Sequence, residues 1–153
     1  APPHGVALDA EDAFVVAGDK LLRAPRARGA VTSLLTANGV GSPIVHGDRV
    51  LVVTPSEGGE HVVTSVPTGG GPASVVARHV RGRSPLAAHG GVLYLVDEER
   101  SRLRAVDLAT GTDRAIAEHE ALASTAALAA DADGVFAATD EAGVVLAIGP
   151  PPG

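Results

Sequence analysis

Short apolar runs recur along the chain at a nearly fixed spacing. AFVV begins at Ala13, VLVV at Val50, VLYL at Val92 and VFAA at Val135, at offsets of 37, 42 and 43 residues. Ser-Pro pairs begin at Ser42 and Ser84, 42 residues apart. The residues ending the next run, Pro25, Pro67, Asp107 and Gly149, follow at 42, 40 and 42, and the turn glycines Gly29, Gly71 and Gly111 at 42 and 40. Independent markers that drift together denote an internal repeat.

Each unit reads as four short strands, a to d. In the third unit these are Pro85 to Ala88, Val92 to Val96, Arg102 to Leu108 and Arg114 to Ala117. Strand b is almost wholly apolar, as in Val50 to Val53, which predicts burial of both faces. Strand c alternates, with Leu103 and Ala105 on one face and Arg102 and Arg104 on the other, and strand d is more polar still. The c–d turns RARG, TGGG and ATGT carry glycine where a hairpin needs positive φ. The Ala-rich stretch from Glu118 to Ala130 favours helix by propensity, but the repeat register places a d–a link and a strand a there.

A sheet that is drier inside and wetter outside, repeated every ~40–45 residues, is the signature of propeller blades. The predicted fold is therefore all-β, a β-propeller segment with repeats at about 5–41, 42–83, 84–122 and 123–149. A β-trefoil suits the length but needs three pseudo-repeats, and nearly four are present. The fourth unit has strands a (Ala126 to Ala129), b (Val135 to Ala138) and c (Val144 to Ile148), then GPPPG, where proline lacks the N–H a strand d requires. Three readings follow: part of a larger propeller, a small four-bladed ring, or a ring shared by two copies. The first and third leave no apolar blade face in water, where it would act as an association site.

Composition narrows this further. The apolar residues are Ala, Val and Leu with two Phe and one Tyr, and there is no Trp, Met or Cys. Small aliphatic side chains suit closely packed pleated sheets. The net charge is −6 and the twelve Lys and Arg are scattered, which disfavours nucleic acid as a partner. Disulfide and thiolate chemistry are absent, and no apolar run reaches the ~20 residues of a membrane span. Both ends read as cuts in a longer chain, or as a processed start and a Pro-rich linker over residues 150–153.

Three segments carry a family likeness: GVALDAEDAFVV (Gly5 to Val16), SVPTGGGPASVVA (Ser65 to Ala77) and AVDLATGT (Ala105 to Thr112). They resemble the short-blade bacterial β-propeller repeats of NHL-like and YncE-like proteins. Aromatic residues usually close strand b in such repeats, and here Phe14, Tyr94 and Phe136 remain. The resemblance implies a secreted, periplasmic or cell-envelope location. It is shared by non-catalytic binding platforms and by some lyases, and no catalytic motif of the latter matches residue for residue. In such propellers strand a lines the channel, the b–c loops and d–a links share one rim, and the a–b and c–d turns share the other.

The first rim collects the candidate chemistry. The b–c loops bring Asp19, Glu57, Glu60, Asp97, Glu98, Glu99, Asp140 and Glu141, and the d–a links bring Arg78, His79, Arg81, Arg83, Glu118, His119 and Glu120. The ligand-binding candidates are His79, Arg81, Arg83, Glu118, His119 and Glu120. Asp97, Glu99 and His119 are the candidate metal set, since oxygen ligands with one histidine suit a hard divalent cation. The competing reading is that these are solvated hairpin tips that keep sheet edges soluble. On the other rim Asp9, His46, Ala88 and Asp131 occupy equivalent a–b turn positions, where a turn Asp bonds its own backbone. Asp12, Asp48 and Asp133 read as turn residues too, His4 and His89 as turn residues beside glycines, and His61 as the start of a strand c.

No nucleophile elbow, P-loop, H-E-x-x-H or EF-hand pattern occurs. The expected role is a non-enzymatic binding or scaffolding module with a protein or small-molecule partner, and further blades or a second copy as neighbours. The alternatives are a propeller-type lyase or hydrolase with a rim-bound divalent metal and His79 or His119 as acid/base, and a self-association module. No organic cofactor is expected.

Overall fold

The computed structural model describes residues 3–99, 101–140 and 145–149. Its strands form four consecutive antiparallel meanders. The first comprises β1 (Pro3–Leu8), β2 (Asp12–Ala17), β3 (Lys20–Pro25) and β4 (Thr32–Thr36). The second comprises β5 (Ile44–His46), β6 (Arg49–Pro55), β7 (His61–Pro67) and β8 (Ser74–Val80). The third comprises β9 (Leu86–His89), β10 (Val92–Val96), β11 (Arg102–Asp107) and β12 (Asp113–Glu118). The fourth has three strands, β13 (Thr125–Asp131), β14 (Gly134–Thr139) and β15 (Val145–Ile148). Each strand pairs with its neighbour in sequence, as the four-strand repeat predicts. The Ala-rich stretch follows the register: a 3-10 turn over Glu120–Ser124 leads into β13.

The chain divides into two compact units, one ending at Arg78 and one starting at His79. In the first unit Phe14, Val16 and Leu21 of the first sheet pack with Val50 and Val52 of the second. In the second unit Tyr94, Leu103 and Ala105 of the third sheet pack with Val135 and Ala137 of the fourth, and Leu122 of the 3-10 turn closes the same core. Full burial of each such Val, Leu or Phe contributes about 1.5–3 kcal/mol, so the small side chains suffice because the sheets lie face to face. Strand β6 is buried on both faces from Val50 to Thr54, as its unbroken apolar run predicts.

The a–b hairpins set the repeat register. His46 pairs with Arg49, His89 with Val92 and Asp131 with Gly134, each across a two-residue turn, and the Asp9 N–H donates to the Asp12 carbonyl at 3.1 Å. The equivalent turn position is thus Asp9, His46, His89 and Asp131. His89 replaces the expected Ala88, because Gly90 and Gly91, at φ 58° and 78°, form the turn themselves. The third strand b consequently aligns from Leu93, which makes Phe14, Leu51, Tyr94 and Phe136 equivalent. His4 lies within β1, its Nε2 2.9 Å from the Val40 carbonyl, not in a turn. Asp12 opens β2 as a buried residue with its carboxylate 3.0 Å from Arg23 Nε.

Turn aspartates fold back on their own backbone. Asp9 Oδ1 accepts from the N–H groups of Glu11 and Asp12 at 2.9 and 2.7 Å, and Asp107 Oδ1 accepts from Ala109 and Thr110 at 2.9 and 3.0 Å. These donors hold both carboxyls below the ordinary 3.8, led by Asp12 N–H at Asp9 and by Thr110 N–H at Asp107. A depressed folded pKa adds stability above the unfolded pKa, and that stability is lost as pH falls through the folded value. The urea midpoint is therefore expected to stay level from neutral pH to roughly pH 5 and to fall in the acid region, and Asp107→Asn is expected to flatten that fall. An identical acid-side slope in the variant would exclude this source of pH dependence.

Candidate functional site

The b–c loops and d–a links are joined by backbone hydrogen bonds within each unit. Ala37 N–H donates to the Asp19 carbonyl at 2.8 Å, His119 to Ser101 at 2.9 Å and Asp140 to Ser124 at 2.9 Å. The a–b and c–d turns are joined on the opposite side, through Arg26 to Glu11, Thr68 to Asp48 and Leu108 to Gly91, at 2.8 to 2.9 Å. Strand alternation carries successive hairpins to opposite ends of a meander, so the two sets of turns separate as expected.

In the second unit the rim is organised by Arg104, a residue that alternation along β11 places with Arg102 on a wetter face. Arg104 is instead buried, at 8% exposure. Its Nη1 donates to Asp97 Oδ1 at 3.0 Å and to the His79 carbonyl at 2.9 Å, and its Nε and Nη2 grip both carboxylate oxygens of Asp113. Burial opposes the charge on Arg104, but the carboxylates of Asp113 and Asp97 outweigh it and raise its pKa above the ordinary value. The equivalent positions in the second sheet are Thr54 and Thr64, whose hydroxyls share a buried hydrogen bond of 2.9 Å. One repeat thus fills a diagonal cross-strand site with two hydroxyls, and the next fills it with an ion pair that reaches the link preceding the sheet.

The end of β8, which contains Arg78 and His79 expected in the link, and the link that follows it carry an unusual backbone. His79 and Arg83 have φ of 56° and 62°, the non-glycine residues in the left-handed region among those described. L side chains visit this region at a cost that surrounding contacts must offset. At His79 three nearby contacts do so: Glu98 N–H donates to its carbonyl at 3.0 Å, Arg104 donates to the same carbonyl, and Arg81 N–H donates to Val96 at 3.0 Å. Arg81 then reaches one repeat further, its Nη1 donating to the Ala123 carbonyl at 3.2 Å and its Nη2 to Thr125 at 2.6 Å. Ala123 lies 42 residues on, so the arginine ties one d–a link to the next.

Several other rim side chains also pair with one another. His79 Nδ1 lies 3.3 Å from the Glu98 carboxylate. Arg102 bridges Glu118 at 2.8 Å and Glu99 at 3.3 Å, and its pKa is raised chiefly by the Glu118 hydrogen bond. His119 Nδ1 accepts from Ala121 N–H at 3.0 Å and so caps the 3-10 turn. In the first unit Arg78 pairs with Glu60 at 2.8 Å.

The structure therefore joins His79 and Asp97 through Arg104, with Glu98 bonded to His79, ties Arg81 to Val96, Ala123 and Thr125, and brings Glu99 and Glu118 together through Arg102. Arg83 and Glu120 are exposed nearby in the chain. Glu141 lies outside the described residues. Asp97, Glu99 and His119 do not converge as a ligand set: Asp97 is committed to Arg104 and to the Glu99 N–H at 2.9 Å, and His119 to its cap. Among the described residues no three His, Asp or Glu side chains form a group that could hold a metal ion. Arg104 and Asp113 were not among the sequence candidates. The signal that could have found them is repeat equivalence, since Asp97 and Arg104 stand where the second repeat has Thr54 and Thr64.

Residues 4–117 match the family model described as outer membrane protein assembly factor BamB. No curated protein sequence matches the chain. Among solved structures, the chain resembles a component of the nidogen/laminin complex at a TM-score of 0.79 and 14% identity, covering 96% of this chain and 59% of that one. TolB from Acinetobacter baumannii superposes at 0.72 with 12% identity, covering 97% and 44%. A gluconolactonase from Xanthomonas campestris superposes at 0.67 with 19% identity, covering 99% and 63%. The chain spans less than two thirds of each of these structures, and at such identity the likeness is one of fold. Helices of a length and apolarity to cross a membrane are absent among the described residues. Four consecutive meanders, the repeat that generates them and a match over most of the length make this chain a β-propeller protein of the BamB repeat family.

Proposed function

We propose that the chain is a non-catalytic propeller segment whose b–c/d–a rim is a binding or scaffolding platform in an envelope or secreted bacterial protein. The observation that carries this reading is the construction of the His79–Arg83 link. Its left-handed His79 is held by Arg104 and its Arg81 is tied to Ala123 and Thr125, while His79, Arg83, Glu118, His119 and Glu120 are exposed. A rigid, strained and solvent-facing segment on a packed sheet is what a preorganised contact surface requires. Membership of a family described by outer-membrane assembly supports the envelope location. The finer likeness to NHL-like and YncE-like blades belongs to the same proposal and rests on the AVDLATGT hairpin.

The platform is tested by placing a photo-crosslinking residue at Arg83 or Glu120 in the parent bacterium, with Thr110 on the opposite rim as control. Adducts of defined mass at the first two positions and none at Thr110 are expected. Equal labelling at all three, or none at any, would overturn the rim as the binding surface. Titration with Ca²⁺, Mg²⁺, Mn²⁺ and Zn²⁺ in a thermal melt separates the metal-dependent enzyme reading. No ion is expected to raise the melting temperature, because Asp97 is committed to Arg104 and Glu99 and Glu118 to Arg102, and no three ligating side chains converge among the described residues. A saturable shift with one ion would favour the enzyme.

A further inference from the structure

The link between the first two sheets holds Asn38, the chain's one asparagine, and no glutamine occurs. The next residue is Gly39, and both are exposed in the turn that follows β4. Asparagine is among the chemically labile residues. Its side-chain amide carbon is an electrophile, and the backbone nitrogen of the following residue can close a five-membered ring onto it. Glycine carries no side chain to obstruct that approach.

The structure anchors the turn on both sides of this pair. Upstream, Ala37 N–H donates to the Asp19 carbonyl at 2.8 Å. Downstream, Gly41 N–H donates to the Val53 carbonyl at 2.9 Å, and the Val40 carbonyl lies 2.9 Å from His4 Nε2. Val40 itself is 3% exposed and belongs to the first unit's core. Between these anchors, the Gly39 N–H, the Asn38 carbonyl and the Asn38 side-chain amide make no hydrogen bond among the described residues. The peptide joining Asn38 to Gly39 therefore has no bond to break when it rotates. Gly39 holds φ 77°, which glycine adopts without strain. The links of the later repeats differ, since Arg81 donates to Thr125 and His119 Nδ1 accepts from Ala121 N–H.

We infer that Asn38–Gly39 is a self-modification site, where the folded chain converts its asparagine to aspartate and isoaspartate. The Gly39 nitrogen attacks Asn38 Cγ. The N–Cγ bond forms, the Cγ–Nδ2 bond breaks, and the Gly39 amide proton leaves with Nδ2 as ammonia. Water then opens the cyclic imide. Attack at Cγ gives aspartate on the ordinary backbone, and attack at the Asn38 backbone carbonyl carbon gives isoaspartate, with the chain running through the side chain. Either product adds a negative charge to a chain already at −6, on the side of the b–c loops and d–a links, and so acts as any charge-changing modification does. The isoaspartyl form also lengthens the backbone by one methylene between Ala37 and Val40, both of them anchored, so the change reaches the core through Val40. The inference does not depend on what the rim binds.

The test incubates the whole folded chain in mildly alkaline buffer. Conversion is followed by intact mass and by mapping the tryptic peptide from Gly29 to Arg49, with an isoaspartyl methyltransferase as the probe for the β-linked product. A single amide-to-acid conversion is expected, confined to that peptide and yielding both products. It is expected to accelerate as pH rises, because the attacking nitrogen must lose its proton. Asn38→Gln keeps the turn glycine and is expected to slow the conversion many-fold, since a six-membered ring closes less readily. A folded chain of constant mass that converts only after unfolding in urea would overturn the inference, because the fold would then hold the pair out of reach. Conversion at an undiminished rate in Asn38→Gln would overturn the ring-closure route.

Discussion

Replacing Arg104 with leucine is expected to lower the stability of the second unit by about 3–5 kcal/mol, the cost of removing one partner of a buried ion pair. The loss comes from what remains. Asp97 is 7% exposed, and it would stay buried with its Oδ1 facing no cation. The His79 carbonyl would lose a charged donor at the point where φ is 56°. The double variant Asp97→Thr with Arg104→Thr transplants the hydroxyl pair found at Thr54 and Thr64, and it is expected to recover much of the loss because no buried charge remains unpaired. Tyr94 is the chain's one tyrosine, there is no tryptophan, and it lies in the second unit's core. Its fluorescence in a urea titration therefore reports on this unit. A loss below about 1 kcal/mol for Arg104→Leu would mean that water or relaxation solvates Asp97.

The aromatic positions supply the second large effect. Phe14→Ala is expected to cost about 3–5 kcal/mol, since a fully buried phenyl ring would leave a cavity among Val16, Val50 and Val52. Phe136→Ala, at the equivalent position but 39% exposed, is expected to change the stability of the dilute chain by less than about 0.5 kcal/mol, as a surface substitution does. The comparison is made by circular dichroism at a concentration where the chain is monomeric. Equal losses at the two sites would show that Phe136 is covered within the chain.

Much of this architecture was legible because a meander repeats the same physical task. Each strand b is a central strand that buries at least one face, so its apolar run recurs, and two of the c–d hairpins place a glycine at positive φ, Gly71 and Gly111, whereas Gly29 of the first does not take it. The Ala-rich link shows register prevailing over propensity, with only the five residues from Glu120 to Ser124 turning helical. The candidate site was less legible. Alternation places Arg102 and Arg104 on one face, but it does not say how deeply each is covered. Arg102 stays partly exposed between two glutamates, while a register shift between Leu103 and Arg104 accompanies the burial of the second arginine. The left-handed backbone of His79 and Arg83 left no mark in the sequence at all, because neither is a glycine or an asparagine.

The charge of the rim also bears on how fast a partner would arrive. Its b–c loops and d–a links carry more carboxylates than arginines, and the chain has a net charge of −6, so the ion pairs of Arg102 and Arg104 leave negative charge in surplus. A cationic ligand docking on this rim would be steered toward it, and its encounter rate would fall as ionic strength rises. An anionic ligand would show the opposite dependence on salt, so the sign of that dependence reads the charge of the partner.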